Sequence, residues 1–265
     1  MTAGAAPTAG ERILGVRFFT GTLADACARA VAGGLVVAPS GPGLAGDLTD
    51  EAAYRAALER ADLVLTDSGF LVLLWRLRTG RRLPRHSGLA FLRAFLGGPV
   101  RGRSVFWVMP SEEEAERNRA WLRGLGLAVT PEDCHVAPHY GGAGEIRDDL
   151  LRARIEARRP DIVMIAIGGG VQERLGLHLR GTLSYRPGIL CLGAAIAFLS
   201  GGQVAIPPWV DRWMLGWLWR MVSNPARFGP RYLRAMRLAW MVLRYGAEAP
   251  PSRGRAGKGL IGKIE

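Results

Sequence analysis

Several features that define common protein classes are missing from this chain of 265 residues. Its three cysteines, Cys27, Cys134 and Cys191, are far apart and lack the spacing of a zinc site. That pattern argues against a disulfide framework and fits a reducing compartment. The longest apolar run, residues 189–199, is too short to cross a bilayer, and residues 1–10 lack the basic start and apolar core of a signal peptide. We therefore expect a cytoplasmic protein.

Motifs of several nucleotide-dependent enzymes are also absent. No P-loop lysine is present, and the first strand–helix turn lacks the dinucleotide fingerprint GxGxxG. No Asp-x-Asp pair follows a strand, and Pro138 argues against a helix that would bring His135 and His139 together. These absences weigh against an NAD-dependent oxidoreductase. The sequence predicts neither a metal site nor a cofactor.

Charge and tryptophan are concentrated near the C-terminus. The formal net charge is +12, and the segment from Gln203 onward carries +8 of it together with five of the eight tryptophans. Arginine beside Trp, Leu and Met on short helices is typical of a segment that lies in a membrane interface. Two alternatives are a protein with basic solvated faces throughout and nucleic-acid binding through the tail. No recognition motif supports the second, so we predict no nucleic-acid partner.

Strand-like and helix-like segments alternate up to residue 202. One strand is predicted over residues 13–19, and Ser111 is predicted to cap a helix over residues 112–124. Continuous apolar strands are predicted over residues 35–38, 62–66 and 161–167. Separated by helices, such strands indicate a mostly parallel sheet with helices on both faces, a Rossmann-like α/β fold.

The composition divides the chain into three segments. Residues 11–202 are predicted to form the Rossmann-like catalytic domain, and residues 203–246 a basic, Trp-rich helical appendage that associates with the membrane. Residues 247–265 are rich in Gly, Lys and Arg and are expected to form a disordered tail.

Three loops follow predicted strands, at the edge where parallel α/β sheets bind ligands: residues 39–43, 67–69 and 168–173. Asp67 is suited to act as a general base toward a sugar hydroxyl, or it caps the helix that begins near Gly69. The glycines at 168–170 let the backbone approach a phosphate at a helix N-terminus, although many α/β turns share this composition. Gln172 would hydrogen-bond a sugar or base, or simply be solvated.

A basic loop precedes the next helix. It contains Arg81, Arg82, Arg85 and His86. Arginines in such a loop bind phosphate groups well, and a solvated loop is the equal alternative.

Five segments in the first 202 residues resemble motifs that occur in the same order and at similar spacing in a known protein family. They are residues 61–69 (ADLVLTDSG), 83–88 (LPRHSG), 160–163 (PDIV), 168–173 (GGGVQE) and 193–201 (GAAIAFLSG). Shorter matches follow at residues 208–209, 216–217, 224–225 and 231–233. Together they resemble the WecG/TagA/CpsF family of bacterial glycosyltransferases (glycosyltransferase family 26), over roughly residues 12–245.

The resemblance implies a metal-independent, inverting transferase. Such an enzyme moves a hexose or N-acetylhexosamine from a UDP-sugar to a polyprenyl-diphosphate-linked sugar, here in exopolysaccharide or other cell-surface glycan synthesis. By the same resemblance Asp67 is the base, Arg85 meets the diphosphate and Gln172 orients donor or acceptor. The implied donor-binding residues are Ser40, Ser68, Gly168, Gly169, Gly170, Val171 and Glu173.

The resemblance also gives the appendage a role. It implies a protein held peripherally at the inner face of the plasma membrane, and it leaves self-association open. The residues expected to contact the acceptor or the membrane are Trp209, Arg212, Trp213, Trp217, Arg220, Arg227 and Arg231.

The chain departs from the family pattern at several positions. Ala38-Pro39-Ser40 stands where the family has Thr-Pro-Asn, and Ser68 replaces the glycine after the aspartate. Val171 replaces a proline, and Ala197 replaces a common aspartate. These departures leave the donor sugar open. The alternative function is a catalytically silent family member that acts as a membrane-bound partner in polysaccharide assembly.

Overall fold

The computed structural model of the protein describes residues 10–202 and 236–253. Its strands are β1 (Gly10–Ile13), β2 (Val16–Phe19), β3 (Gly34–Val37), β4 (Leu63–Val64), β5 (Val105–Met109), β6 (Cys134–Val136), β7 (Ile162–Ile165) and β8 (Gly188–Cys191). Its helices are α1 (Leu23–Val31), α2 (Gly41–Ala45), α3 (Asp47–Asp50), α4 (Ala52–Arg60), α5 (Gly69–Thr79), α6 (Gly88–Gly97), α7 (Glu112–Gly124), α8 (Asp149–Arg158), α9 (Val171–Thr182) and α10 (Ala195–Leu199). Residues 236–245 are also helical, and we call them the C-terminal helix.

A six-stranded parallel sheet organises the described residues, in the order β4-β3-β8-β7-β5-β6. Because side chains alternate along a strand, each strand contributes to two cores. On one face Val37, Val163 and Ile189 meet residues of α4, α5, α8 and α9; on the other, residues such as Trp107 and Leu190 meet α1, α6 and α7. The predicted Rossmann-like α/β fold is therefore confirmed.

The first predicted strand is wrong in one respect. Residues 13–19 do not form one strand, because β1 and β2 pair as an antiparallel hairpin. Leu14 and Gly15, with φ of 52° and 82°, make the turn between them. The hairpin lies beside β4, at the edge of the main sheet.

The C-terminal helix packs on the core. Leu238, Met241 and Val242 are fully buried in the same core as α4 and α5. Beyond the helix, the backbone N–H of Leu14 donates to the carbonyl oxygen of Gly246 at 2.8 Å. Residues 236–253 thus complete the α/β unit, while the division of the chain at residue 203 stays a prediction.

The opposite face of the C-terminal helix is apolar and exposed. Met236, Trp240 and Leu243 are 63%, 52% and 52% exposed, and their spacing places them on one side of the helix. The predicted acceptor and membrane contacts between Trp209 and Arg231 all lie outside the described residues. Within the described ranges, no helix is both long and apolar enough to cross a membrane.

Candidate active site

Four neighbouring strands end at the same edge of the sheet. β4, β3, β8 and β7 run parallel and side by side, so the segments that follow them are brought together at their carboxyl ends. Three of these segments hold the predicted donor-binding residues with Asp67 and Gln172, and the fourth, residues 192–194, follows β8. Sequence motifs more than one hundred residues apart thus meet at one edge.

Asp67 lies three residues beyond β4 and is half-buried. Its Oδ1 accepts a hydrogen bond from the backbone N–H of Gly88 at 2.9 Å, at the start of α6. The cap of α5 is instead Ser68, whose Oγ accepts from the N–H of Leu71 at 3.2 Å. Of the two roles considered for Asp67, helix capping is therefore filled by its neighbour.

The loop that carries Arg85 is fastened to the end of β4. Thr66 Oγ1 donates to the carbonyl oxygen of Pro84 at 2.5 Å, and Arg85 Nε donates to the carbonyl oxygen of Asp67 at 3.3 Å. The guanidinium of Arg85 thus contacts the backbone of Asp67, the other residue that the sequence singled out. His86 is directed elsewhere, since its Nε2 lies 2.7 Å from the carbonyl oxygen of Gly21 and its ring contacts Phe19.

The glycine turn follows β7 and opens α9. Gly168 and Gly169 are exposed, whereas Gly170 is buried with φ of 87°. A Cβ at Gly170 would lie 2.9 Å from Asp47 Oδ2, so a larger residue would be both strained and crowded. The N–H of Gly170 donates to Glu173 Oε2 at 2.7 Å. This amide is therefore engaged inside the protein.

Glu173 and Gln172 support the turn from within. Both are buried, and Gln172 Nε2 donates to Glu173 Oε1 at 3.2 Å. Gln172 Oε1 accepts from the N–H of Gly193 at 2.6 Å, which joins the turn after β7 to the segment after β8. Burial raises the pKa of Glu173 to about 7, against hydrogen bonds that favour the charged form. Glu173 thus orients the turn.

Ser40 lies in the segment after β3, where the sequence predicted a loop. Its Oγ caps α2 by accepting from the N–H of Gly43 at 3.3 Å, so the predicted loop is wrong from Gly41 onward. The hydroxyl also lies 3.9 Å from the position that a Cβ on Gly169 would take. The segments after β3 and β7 therefore face each other across the edge of the sheet.

Ala38 and Val171, two of the departures from the family pattern, also line this region. A Cβ placed on Gly88 would lie 3.4 Å from the Cβ of Ala38, so the segment after β3 packs closely on the start of α6. Val171 is the first residue of α9. Ala197 is buried on α10, in the layer of helices beside α6.

Sequence reasoning missed three residues beside the site. Arg174 follows Gln172 and Glu173 directly, and its guanidinium bonds three backbone carbonyls. Asp47 approaches Gly170. Tyr54 is fully buried, and burial with the neighbouring carboxylates of Glu173, Asp47 and Asp67 raises its pKa. Only Arg174 could have been found from the sequence, because it directly follows the Gln-Glu pair of the predicted site.

Two pockets of about 370 and 740 Å³ lie away from this edge. The first is lined by Gly34, Tyr185 and Arg186, near the amino ends of β3 and β8. The second lies between the hairpin, β4 and residues 247–249. We place the candidate site at the carboxyl edge because the polar and glycine residues meet there. Among residues 10–202 and 236–253, no cluster of His, Cys, Asp or Glu is arranged to hold a metal ion.

This arrangement defines a parallel α/β protein in which polar and glycine residues gather at the carboxyl ends of the strands, the edge where nucleotide-binding enzymes of this class bind their ligands. Comparison with protein families is decisive: the Glycosyl transferase WecG/TagA/CpsF family matches residues 11–251, and the chain belongs to it. The predicted class, a glycosyltransferase, is confirmed.

Two named relatives share this family likeness. One, from Bacillus subtilis strain 168, is called N-acetylglucosaminyldiphosphoundecaprenol N-acetyl-beta-D-mannosaminyltransferase. It is 24% identical over 212 residues, which cover 80% of this chain and 80% of the relative. A protein of the same name from Bacillus spizizenii strain W23 is 24% identical over 221 residues, covering 77% of this chain and 79% of that protein.

Proposed function

We propose that this glycosyltransferase moves a hexose or N-acetylhexosamine from a UDP-sugar to a polyprenyl-diphosphate-linked sugar, with inversion and without a metal ion. The observation that carries the proposal is the meeting of Asp67, Arg85 and the glycine turn at one edge of the sheet. The relatives' names, which specify an acceptor sugar on diphosphoundecaprenol, favour the same class of acceptor. The product would serve an exopolysaccharide or another cell-surface glycan.

In the proposed reaction, Asp67 takes the proton from the acceptor hydroxyl as that oxygen attacks the anomeric carbon. The new carbon–oxygen bond forms as the bond from the anomeric carbon to the diphosphate breaks, and UDP leaves with the electron pair. The hydrogen bond from Gly88 supports this role because it holds the carboxylate in one place. A fixed base requires less reorganisation when the proton moves.

Arg85 would stabilise the charge that develops on the leaving diphosphate. Its contact with the backbone carbonyl of Asp67 supports a position close to the proposed base. The exposed backbone at Gly168 and Gly169 would approach the same phosphates, and Gly170 would act by shaping the turn, since its own amide is engaged by Glu173. Gln172, held between Glu173 and Gly193, would orient the bound sugar.

Membrane association is proposed for the basic C-terminal part of the chain, at the inner face of the plasma membrane. The exposed apolar face of Met236, Trp240 and Leu243 supports it, because such a face beside arginines suits a bilayer interface. Arg237 is engaged with Asp50 and Thr49 on α3. Lipid contact would therefore fall to other arginines of this segment.

The test is UDP release from a panel of UDP-hexoses, with a short-chain polyprenyl-diphosphate sugar as acceptor, in the presence and absence of EDTA. Release that depends on the acceptor and survives EDTA is expected, and the active donor identifies the sugar. Release that EDTA abolishes would overturn metal independence. A folded protein that releases no UDP from any donor would favour the silent partner in polysaccharide assembly.

A further inference from the structure

Arg174 joins two segments that are far apart in the chain. It lies in the first turns of α9 and is only 4% exposed. Its Nε donates to the carbonyl oxygen of Gly170 at 2.9 Å, and its Nη1 to that of Gly144 at 2.7 Å. Its Nη2 donates to the carbonyl oxygen of Gly141 at 3.3 Å. One guanidinium thus holds the glycine turn and a second glycine-rich loop together.

The second loop, residues 141–144, follows β6 and is exposed to solvent. The N–H of Gly144 also donates to Glu51 Oε2 at 3.1 Å. Just outside the loop, Tyr140 OH donates to Asp148 Oδ2 at 2.5 Å, which closes the base of the segment. The loop is therefore held at both of its ends by Arg174, with Glu51 and the Tyr140–Asp148 bond as further supports.

The charge of Arg174 has an unusual environment. Within the described part of the chain, its hydrogen-bond partners are three neutral carbonyls and no carboxylate. A buried cation normally has an anionic partner, because burial disfavours the charged form. Here the positive charge lies directly beneath the N-terminus of α9, whose dipole has the same sign at that end. Glu173 and Asp47 already place carboxylates beside Gly170, so the charge of Arg174 would balance these as well as favour an anion at the exposed Gly168 and Gly169.

We propose that Arg174 is a positioning residue for the donor diphosphate. It would hold the turn at Gly168–Gly170 and loop 141–144 in one arrangement, so that the loop forms a wall of the site, and its charge would strengthen the anion-binding end of α9. The inference rests on the proposed function, since it assumes a diphosphate at the turn. No direct contact between Arg174 and the substrate is required.

The experiment compares Arg174→Met and Arg174→Lys with the wild-type protein. The binding of UDP and of inorganic pyrophosphate is measured by calorimetry, and the donor KM and kcat are measured with the active UDP-sugar. Arg180→Met is the matched control, because Arg180 is on the same helix but binds Asp62 at the opposite edge of the sheet. Both Met variants lose one guanidinium with its positive charge and keep a long, unbranched side chain.

Arg174→Met is expected to weaken UDP and pyrophosphate binding and to raise the donor KM by about tenfold, because the turn and the loop that would receive the diphosphate are no longer held together. The value of kcat should fall less than about threefold, because an interaction that binds the ground state and the transition state equally affects KM and leaves kcat unchanged. Arg174→Lys keeps the charge but not the planar fork, so its affinity should be intermediate. Arg180→Met should lower Tm without changing KM.

Unchanged UDP affinity in a folded Arg174 variant would overturn the proposal, as would a wild-type protein that binds neither UDP nor pyrophosphate. If Arg174→Met folds poorly, Arg174→Lys decides the question. Wild-type affinity of Arg174→Lys for both UDP and pyrophosphate would then show that the role of Arg174 is purely structural. Wild-type protein that binds UDP but turns over no UDP-sugar would refute the proposed function. The binding comparison would still test Arg174.

Discussion

The carboxylate of Asp67 and the backbone N–H of Gly88 are joined by a hydrogen bond of 2.9 Å, although 21 residues separate them in the chain. The bond spans the end of β4 and the start of α6. Its consequence is that a carboxylate with the chemistry of a base is held at one position, while the backbone carbonyl of the same residue contacts Arg85. The same bond permits a variant that alters the chemistry and preserves the geometry.

Asp67→Asn should lower kcat by about 10²–10⁴-fold, the usual contribution of a general base. The amide oxygen can still accept from Gly88, so Tm should be close to that of the wild-type protein. Asp161→Asn is the matched control, because Asp161 also accepts from a backbone N–H, that of Ser104, at the opposite edge of the sheet. If Asp67→Asn transferred sugar at the wild-type rate, another group would have to be the base.

Ser68 can be tested for two separate roles. Ser68→Ala removes the cap of α5 and should cost about 1 kcal/mol, which is about 2–4 °C in Tm for a protein of this size. Ser68→Asp restores a good cap, and its negative charge beside Asp67 should raise the donor KM. Thermal melts and steady-state kinetics of both variants separate capping from donor binding. Equal donor KM values in all three proteins would remove Ser68 from the donor site.

Glu173 should make stability depend on pH. Its pKa is about 7 in the folded protein and about 4.5 ordinarily, so between these values the folded state binds the proton more tightly than the unfolded state does. Stability should therefore fall as the pH rises through this window, by up to about 3 kcal/mol, and the cost should remain above pH 7.

Denaturant unfolding of Glu173→Gln at pH 5, 6, 7 and 8 tests this dependence. The variant cannot ionise, so its stability should change less across the window than that of the wild-type protein. Glu113→Gln is the control, since the side chain of Glu113 is 87% exposed. Parallel pH profiles for Glu173→Gln and the wild-type protein would contradict the assigned pKa.

Arg237 should contribute to docking of the C-terminal helix. It donates to both carboxylate oxygens of Asp50, at 3.1 and 3.2 Å, and to Thr49 Oγ1 at 2.6 Å. The hydrogen bond from Arg237 is the main cause of the lowered pKa of Asp50. Because the pair is partly exposed, a double-mutant cycle of Arg237→Ala and Asp50→Ala should give a coupling of about 0.5–1 kcal/mol.

The coupling should diminish as the pH falls and Asp50 takes up a proton, since a lowered folded pKa stabilises only the ionised state. Urea unfolding of the four proteins at pH 7 and pH 3 measures both effects. Additive single-variant effects at pH 7 would show that burial of Leu238, Met241 and Val242 holds the helix without help from the ion pair.

Local features were predictable because they depend on neighbouring residues. The helix predicted over residues 112–124 is α7, and Ser111 caps it by accepting from the N–H of Glu114 at 3.2 Å. The hairpin at residues 10–19 was missed because Leu14, a residue type that rarely adopts positive φ, makes its turn. Helix α2 was missed because glycine and proline dominate its sequence.

By itself the sequence determined the α/β class, the glycosyltransferase family and the candidate residues Asp67, Arg85 and Gln172. Apolar periodicity and motif spacing can be read from the order of the residues alone. Tertiary structure alone decided which groups meet: Asp67 with Gly88, and Gln172 with Gly193. The physical reason is the strand order β4-β3-β8-β7, which sets the neighbours at the carboxyl edge. That order depends on long-range packing of helices on both faces of the sheet, which no local pattern specifies.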